Sequence, residues 1–311
     1  MAPKRHPPQH QASAVYNWPL LTPLLATDAA IAAWAGRNGP LAVFAYEFVR
    51  FGVKQAWACL FGAIMLALIL LTAFFYPADA ALPRYDVLTL AALAVQIALI
   101  ASRMETLDEA KVILIYHVVG TVMEIFKTTK GSWIYPEAAY LRIAGVPLFT
   151  GFMYACVGSY IARAWRLFDF RFTAHPPLWA TCTLAAAIYI NFFAHHYTAD
   201  IRLALFAATA LLFGRCWIYF KIHRHYRRMP LILGFFLVAL FIWFAENLGT
   251  FTRTWVYPSQ SVQWNMVAPA KLGSWFLLMI ISYVLVTLIN RPEPVRIEAA
   301  GSQRALPDAE G

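Results

Sequence analysis

Residues 112–136 read VILIYHVVGTVMEIFKTTKGSWIYP, and residues 231–258 read LILGFFLVALFIWFAENLGTFTRTWVYP. Each is a long apolar run that carries a single carboxylate near its end, Glu124 in the first and Glu246 in the second. Each carboxylate is followed at the same intervals by Thr, Trp, Tyr and Pro: Thr128, Trp133, Tyr135 and Pro136, then Thr250, Trp255, Tyr257 and Pro258. A run of this length and apolarity reads as a membrane span. A carboxylate inside such a span costs roughly 2.5 kcal/mol or more on insertion scales, which makes it a functional candidate by default. That the same cost recurs in the same pattern points to a duplicated unit.

The rest of the chain agrees with a membrane setting. Of its 311 residues 61% are hydrophobic and only 13% charged, and mean hydropathy is +0.58. Ordinary soluble domains carry about 25% charged residues. These values exclude a soluble enzyme, a nucleic-acid-binding module and a disordered chain. The formal net charge of +9 sits in short basic segments between apolar runs, as topology anchors do, and no nucleic-acid partner is expected. Cys59, Cys156, Cys182 and Cys216 each lie in an apolar run without ligand-like spacing, so they are expected to be buried thiols.

Eight stretches are long and apolar enough to span, at roughly 55–76, 85–103, 109–127, 145–165, 178–195, 201–220, 230–250 and 270–290. The expected fold is therefore all-α, with eight transmembrane helices built as two parallel four-helix repeats. The division is a tail and amphipathic lead-in over 1–52, a first repeat over 53–170, a second over 171–290 and a polar tail over 291–311. The segment after the basic start is interrupted by Asp28 and is not expected to be a cleaved leader. Glu47, Arg50, Phe51 and Lys54 fall at helical spacing and mark the lead-in as amphipathic. Arg163, Arg166 and Arg171 mark one loop as cytoplasmic, and Lys221, Arg224, Arg227 and Arg228 mark another. Eight spans then leave both termini in the cytoplasm and turn the two Trp-x-Tyr-Pro segments to the outer face.

Four groups of residues could carry chemistry. His117, Thr121, Glu124 and Thr128 share one helical face, and a desolvated Glu124 is suited to general acid work. Glu246, with Asn247 and Thr250, is its counterpart, and the pair could supply acid and base, bind a cation or carry protons. The alternative is two separate structural pairings, with Arg253 and with Lys127 or Lys130. In NFFAHHYTADIR (191–202), His195, His196 and Asp200 could hold a divalent metal, since imidazole and carboxylate are suitable ligands. Trp133, Tyr135, Trp255 and Tyr257 could bind substrate together with Thr128 and Thr250, although aromatic residues populate membrane interfaces in any case.

The stretch EIFKTTKGSWIYPEAAYLRIAGVPLF (124–149), with NFFAHHYTADIR and AENLGTFTRTWVYP, resembles a group of bacterial integral membrane proteins, domain-of-unknown-function family 817. The resemblance extends over most of the chain and implies a multi-pass protein of the bacterial inner membrane without implying an activity. More locally, Glu124, Thr128, Gly131, Tyr135 and Gly145-Val146-Pro147-Leu148 look like the motif of the membrane carotenoid hydratases. Trp133 departs from that motif, and the rest of the pattern is missing. That likeness implies protonation of an isoprenoid double bond by Glu124, with aromatic faces stabilising a developing carbocation. The expected activity is acid/base chemistry on a lipid or isoprenoid by Glu124, Glu246 and His117, the alternative being a proton- or cation-coupled transporter.

Overall fold

The computed structural model describes residues 22–223 and 225–295. The expected tail segments at 1–21 and 296–311, and the expected anchor Arg224, lie outside the described residues. Ten α-helices carry the described chain: α1 (Thr22–Arg37), α2 (Pro40–Ala58), α3 (Leu60–Phe75), α4 (Arg84–Ala101), α5 (Leu107–Thr129), α6 (Phe149–Phe168), α7 (Leu178–Ala194), α8 (Arg202–Phe213), α9 (Leu231–Phe251) and α10 (Ala270–Thr287). Two short antiparallel sheets accompany them. One pairs β1 (Arg142–Ile143) with β2 (Val146–Pro147). The other orders β3 (Arg171–Thr173), β4 (Trp217–Lys221) and β5 (Tyr226–Pro230).

Each of the eight expected spans falls on a helix, but the helices are not equivalent. Four of them, α4, α5, α9 and α10, are long and apolar enough to cross a membrane. A fifth crossing is available if α2 and α3, bent by 67° at their junction, count as one broken span. The expected span over 201–220 departs furthest. Helix α8 has 12 residues, a rise of about 18 Å against a core about 30 Å thick. Gly214 closes it, and the chain continues as the strand β4. Helix α7, at 17 residues, is also short.

The polar lead-in helix α2 does not face water along its polar positions. Glu47 is buried and pairs with Arg227 of β5, while the Lys54 ammonium donates to the carbonyls of Leu167 and Lys221 at 2.8 and 2.9 Å. Arg163 is not the loop anchor expected from its charge. It is fully buried within α6, where it donates to Glu105 at 2.8 Å and to the Trp57 carbonyl at 3.2 Å. Ser159 donates to the same Glu105 oxygen and Gln96 to the other. Among the cysteines, Cys216 is buried, Cys156 and Cys182 are half-buried, and Cys59 is exposed, against expectation.

The two Glu-bearing segments share local geometry at their helix ends. Helix α5 starts in a reciprocal cap, Thr106 accepting from the Glu109 amide and Glu109 from the Thr106 amide. It ends as Ser132 N bonds Lys127 O at 2.9 Å, with Gly131 at φ +67°. This is the left-handed closure that favours glycine. Helix α9 ends in the same way, Thr254 N bonding Gly249 O at 3.0 Å, but with Arg253 in the left-handed position at φ +53°. Beyond these ends the two segments meet. Ile134 and Val256 exchange two backbone hydrogen bonds of 3.0 Å in an antiparallel bridge. The most extensive helix contacts are those of α5 with α6 and of α9 with α10.

Candidate functional site

Glu124 and Glu246 stand near the C-terminal ends of α5 and α9, at the same end of the bundle as the Ile134–Val256 bridge. Both are buried, at 4% and 3% exposure. Neither forms an ion pair among the described residues, so the expected pairings with Arg253, Lys127 or Lys130 are not made. Each carboxylate is instead solvated by neutral aromatic donors. Glu124 Oε2 accepts from the Trp133 indole at 2.7 Å and the Tyr135 hydroxyl at 2.6 Å, and Oε1 accepts from the Tyr154 hydroxyl at 2.8 Å. Glu246 accepts from the Tyr257 hydroxyl and the Trp275 indole. The Tyr eleven residues after each Glu therefore plays the same part on both sides.

The donors of one carboxylate touch those of the other. Trp133 meets Tyr257 edge-on at 6.0 Å between ring centroids, and Tyr154 meets Trp275 at 6.4 Å. Two aromatic contacts thus join the two carboxylate shells. Burial first, and then the adjacent Glu124, pushes the Tyr135 phenol well above its ordinary range. Burial and Glu246 do the same for Tyr257. Both phenols therefore remain protonated donors at neutral pH.

The placement of Tyr154 depends on Gly120. An added Cβ there would sit 2.6 Å from the Tyr154 ring, so only a glycine lets the ring cross α5 and reach Glu124 one turn further on.

This cluster lines a cavity of about 1160 Å³, larger than the roughly 300–1,000 Å³ of usual small-molecule pockets. From Glu124, Tyr135, Trp255 and Tyr257 the cavity runs along the bundle to Phe48, Gln55, Phe168 and Phe220 at the opposite end. Its wall is mostly apolar or aromatic.

Of the expected catalytic residues, Glu124 and Glu246 come together and His117 does not join them. Two helical turns, about 10.5 Å of rise, separate it from Glu124. It packs on Phe152 at 4.7 Å, away from the cavity lining, with a buried Nδ1 that finds no hydrogen-bond partner among the described residues. Of the expected binding residues, Trp133, Tyr135, Trp255 and Tyr257 line the cavity. Thr128 and Thr250 do not line it. Thr128 donates to the Glu124 carbonyl, and Thr250 accepts from the Trp264 indole.

The expected metal set is corrected. Lys127 comes 2.9 Å from His196 Nε2 and 3.4 Å from His195 Nε2, placing an ammonium where a metal would need a free ligand. Asp200 turns to Arg202, which holds its carboxyl down at about 2. Among the described residues no three His, Cys, Asp or Glu side chains are grouped so as to hold a metal ion. Partial desolvation, then Lys127 and His195, hold the His196 imidazole below its ordinary value. It is therefore a neutral acceptor for the Lys127 ammonium at neutral pH. Sequence reading misses Tyr154, Trp275, Lys127, Lys271 and Arg202 as site residues. In sequence, Trp275 reads as one more interfacial aromatic, and Tyr154 lies on a helix that the Glu-to-Pro motif does not reach.

Apolar helices of spanning length, packed around a largely apolar cavity with two buried carboxylates, define a multi-pass membrane protein. Residues 47–283 match the family described as "Protein of unknown function (DUF817)", and the chain belongs to that family. It is 42% identical over 245 residues to the uncharacterized protein YoaT of Bacillus subtilis (strain 168), covering 79% of this chain and 92% of that relative. Among solved structures, a mycobacterial Insig homolog, MvINS from Mycobacterium vanbaalenii, aligns with a TM-score of 0.44 at 13% identity over 61% of this chain and 98% of that one. A cross-linked trimer of an MvINS variant aligns over the same shares with a TM-score of 0.45.

Proposed function

We propose that the protein is a membrane enzyme performing acid/base chemistry on a lipid or isoprenoid held in the cavity. The observation that carries this reading is the Glu124 carboxyl, buried with no ion pair among the described residues, solvated by three aromatic donors and lining an apolar cavity. The indole of Trp133 can only donate, and with Tyr135 it fills the lone pairs of Oε2. Oε1 takes a single donor, Tyr154, and so keeps a lone pair that can carry a proton. Tyr154 can accept from the acid and donate to the carboxylate left after transfer, so the site needs no water to change state. Trp255, Tyr135 and Tyr257 line the same space, and electron-rich rings suit a substrate that develops positive charge. Glu246, joined to Glu124 through the aromatic contacts, is the base.

Two-fold likeness supports a duplicated origin for the site. The carboxylates take the same donor eleven residues on, the helices close alike, and positions 134 and 256 pair with each other. We place the basic β4–β5 hairpin, with Lys221, Arg227 and Arg228, on the cytoplasmic side of a bacterial inner membrane. The carboxylate cluster then lies towards the outer face and both termini towards the cytoplasm.

In purified protein reconstituted with membrane lipid, Glu124→Gln should lower turnover at least about a hundredfold, and Tyr154→Phe should lower it about tenfold while leaving insertion intact. Undiminished turnover by Glu124→Gln removes the acid role. The second reading, a proton- or cation-coupled transporter, is favoured by the length of the cavity, which reaches Gln55 at the far end of the bundle. It requires flux in proteoliposomes that disappears with Glu246→Gln.

A further inference from the structure

Beside the carboxylate cluster the cavity lining becomes basic. Lys127 of α5, Lys271 of α10 and Arg202 of α8 all line it, with His195 and His196. Lys127 is buried, at 5% exposure. Neither Lys127 nor Lys271 makes an ion pair among the described residues. Lys127 approaches the two imidazoles and the face of Phe192, 4.2 Å from its ring centre. Lys271 lies over Tyr257 at 4.4 Å and Trp133 at 5.6 Å. Arg202 shares its charge with Asp200 and reaches Ser274 at 3.5 Å. The carboxylates of Glu124 and Glu246 take their hydrogen bonds from phenols and indoles. With two imidazoles as acceptors, Lys127 keeps one of its three N–H groups for a ligand, and Lys271, which lies against aromatic rings, lines the same space.

Glu246 lies in the field of Lys271 and Asp200 in that of Lys127, but neither carboxylate touches an ammonium, and burying a cation without a counter-charge in contact is costly. Three cations on three different helices around one space match an acceptor with more than two oxygens, and a phosphate offers that. Phosphate alone would leave the long apolar remainder of the cavity empty.

We propose that Lys127, Lys271 and Arg202 form a head-group site for a phosphate-bearing single-chain amphiphile, whose chain extends along the cavity towards Phe168 and Phe220. The proposal rests on the reading of the cavity as a lipid site and gives that lipid its chemical class. The phosphate anchors the molecule beside Glu124, so that the first double bond or functional carbon of the chain comes to rest among Tyr135, Trp255 and Tyr257.

The test uses the full chain in a non-ionic detergent and three probes: hexadecyl phosphate, hexadecanol and inorganic phosphate. Native mass spectrometry or calorimetry should show hexadecyl phosphate binding at least about tenfold more tightly than either other probe, the size of effect expected of charge-assisted hydrogen bonds. Lys127→Gln combined with Lys271→Gln should remove most of that preference, while the exposed Lys111→Gln leaves it unchanged. Equal binding of the alcohol overturns the head-group site. Equal binding of inorganic phosphate overturns the amphiphile and points to a soluble anion. Because the probe comparison is made first in the wild-type protein, a variant that fails to fold does not decide the matter. The acid role of Glu124 is read separately by product formation. A phosphate preference with full turnover by Glu124→Gln keeps the head-group site and discards the acid, and the opposite pair of results does the reverse.

Discussion

For single residues, the site depends on what surrounds a carboxylate more than on the carboxylate itself. Glu124 is legible from sequence because a charge inside an apolar run is costly, and Trp133 and Tyr135 are legible from their fixed intervals. Tyr154 is not, because nothing local links it to Glu124. The link is a Tyr154 ring crossing α5 over Gly120, and only the packing of α5 on α6 creates it. Gly120→Ala forces the ring aside, and overpacking of this kind costs about 1–3 kcal/mol. The expected outcome is a lower midpoint of thermal unfolding in detergent together with a loss of turnover like that of Tyr154→Phe. His117 illustrates the converse error. A shared helical face is a statement about angle, and the two turns of axial rise between residues 117 and 124 take the imidazole out of the cavity.

Among the elements, helix positions are largely readable from apolar run length, and helix character is not. The apolar run over 201–220 holds both a short helix and a strand, and hydropathy does not distinguish them. Arg163 and Arg166 look like loop charges because a sequence does not show that Glu105 and Glu109, far earlier in the chain, receive them. The matching helix ends give a test of the local likeness between α5 and α9. Gly131 is left-handed with open space around a would-be Cβ, so Gly131→Ala should cost about 1 kcal/mol through the backbone alone. Arg253 already bears that cost at φ +53°, so Arg253→Gly should return a similar amount. Opposite shifts in unfolding midpoint support matched closures, and shifts of the same sign contradict them.

Across the whole molecule, a continuous cavity is flanked by two polar systems with different roles. At the carboxylate end, Glu124, Glu246, Lys127 and Lys271 make no ion pair among the described residues and line the cavity. Around Arg163 the charges are matched: the guanidinium, Glu105, Ser159 and Gln96 close on one another through direct hydrogen bonds. The matched set ties α4 and α6 to the Glu105 turn that leads into α5. Removing one member strands the other, and Glu105→Gln should destabilise by about 3–5 kcal/mol, whereas Glu105→Leu with Arg163→Met should recover much of the loss. Melting the two variants side by side checks this. The carboxylate end should behave differently, since a site built for function gives up activity before stability.

That Glu124, in its aromatic shell, transfers a proton to a lipid in the cavity is tested most directly by untargeted mass spectrometry of total membrane lipids. Three otherwise identical host strains would be compared, carrying the wild-type protein, Glu124→Gln or no insert. Proton transfer by Glu124 predicts a lipid species gained or depleted with the wild-type protein alone, its mass change naming the reaction. A lipid profile that changes equally with wild type and Glu124→Gln would contradict it.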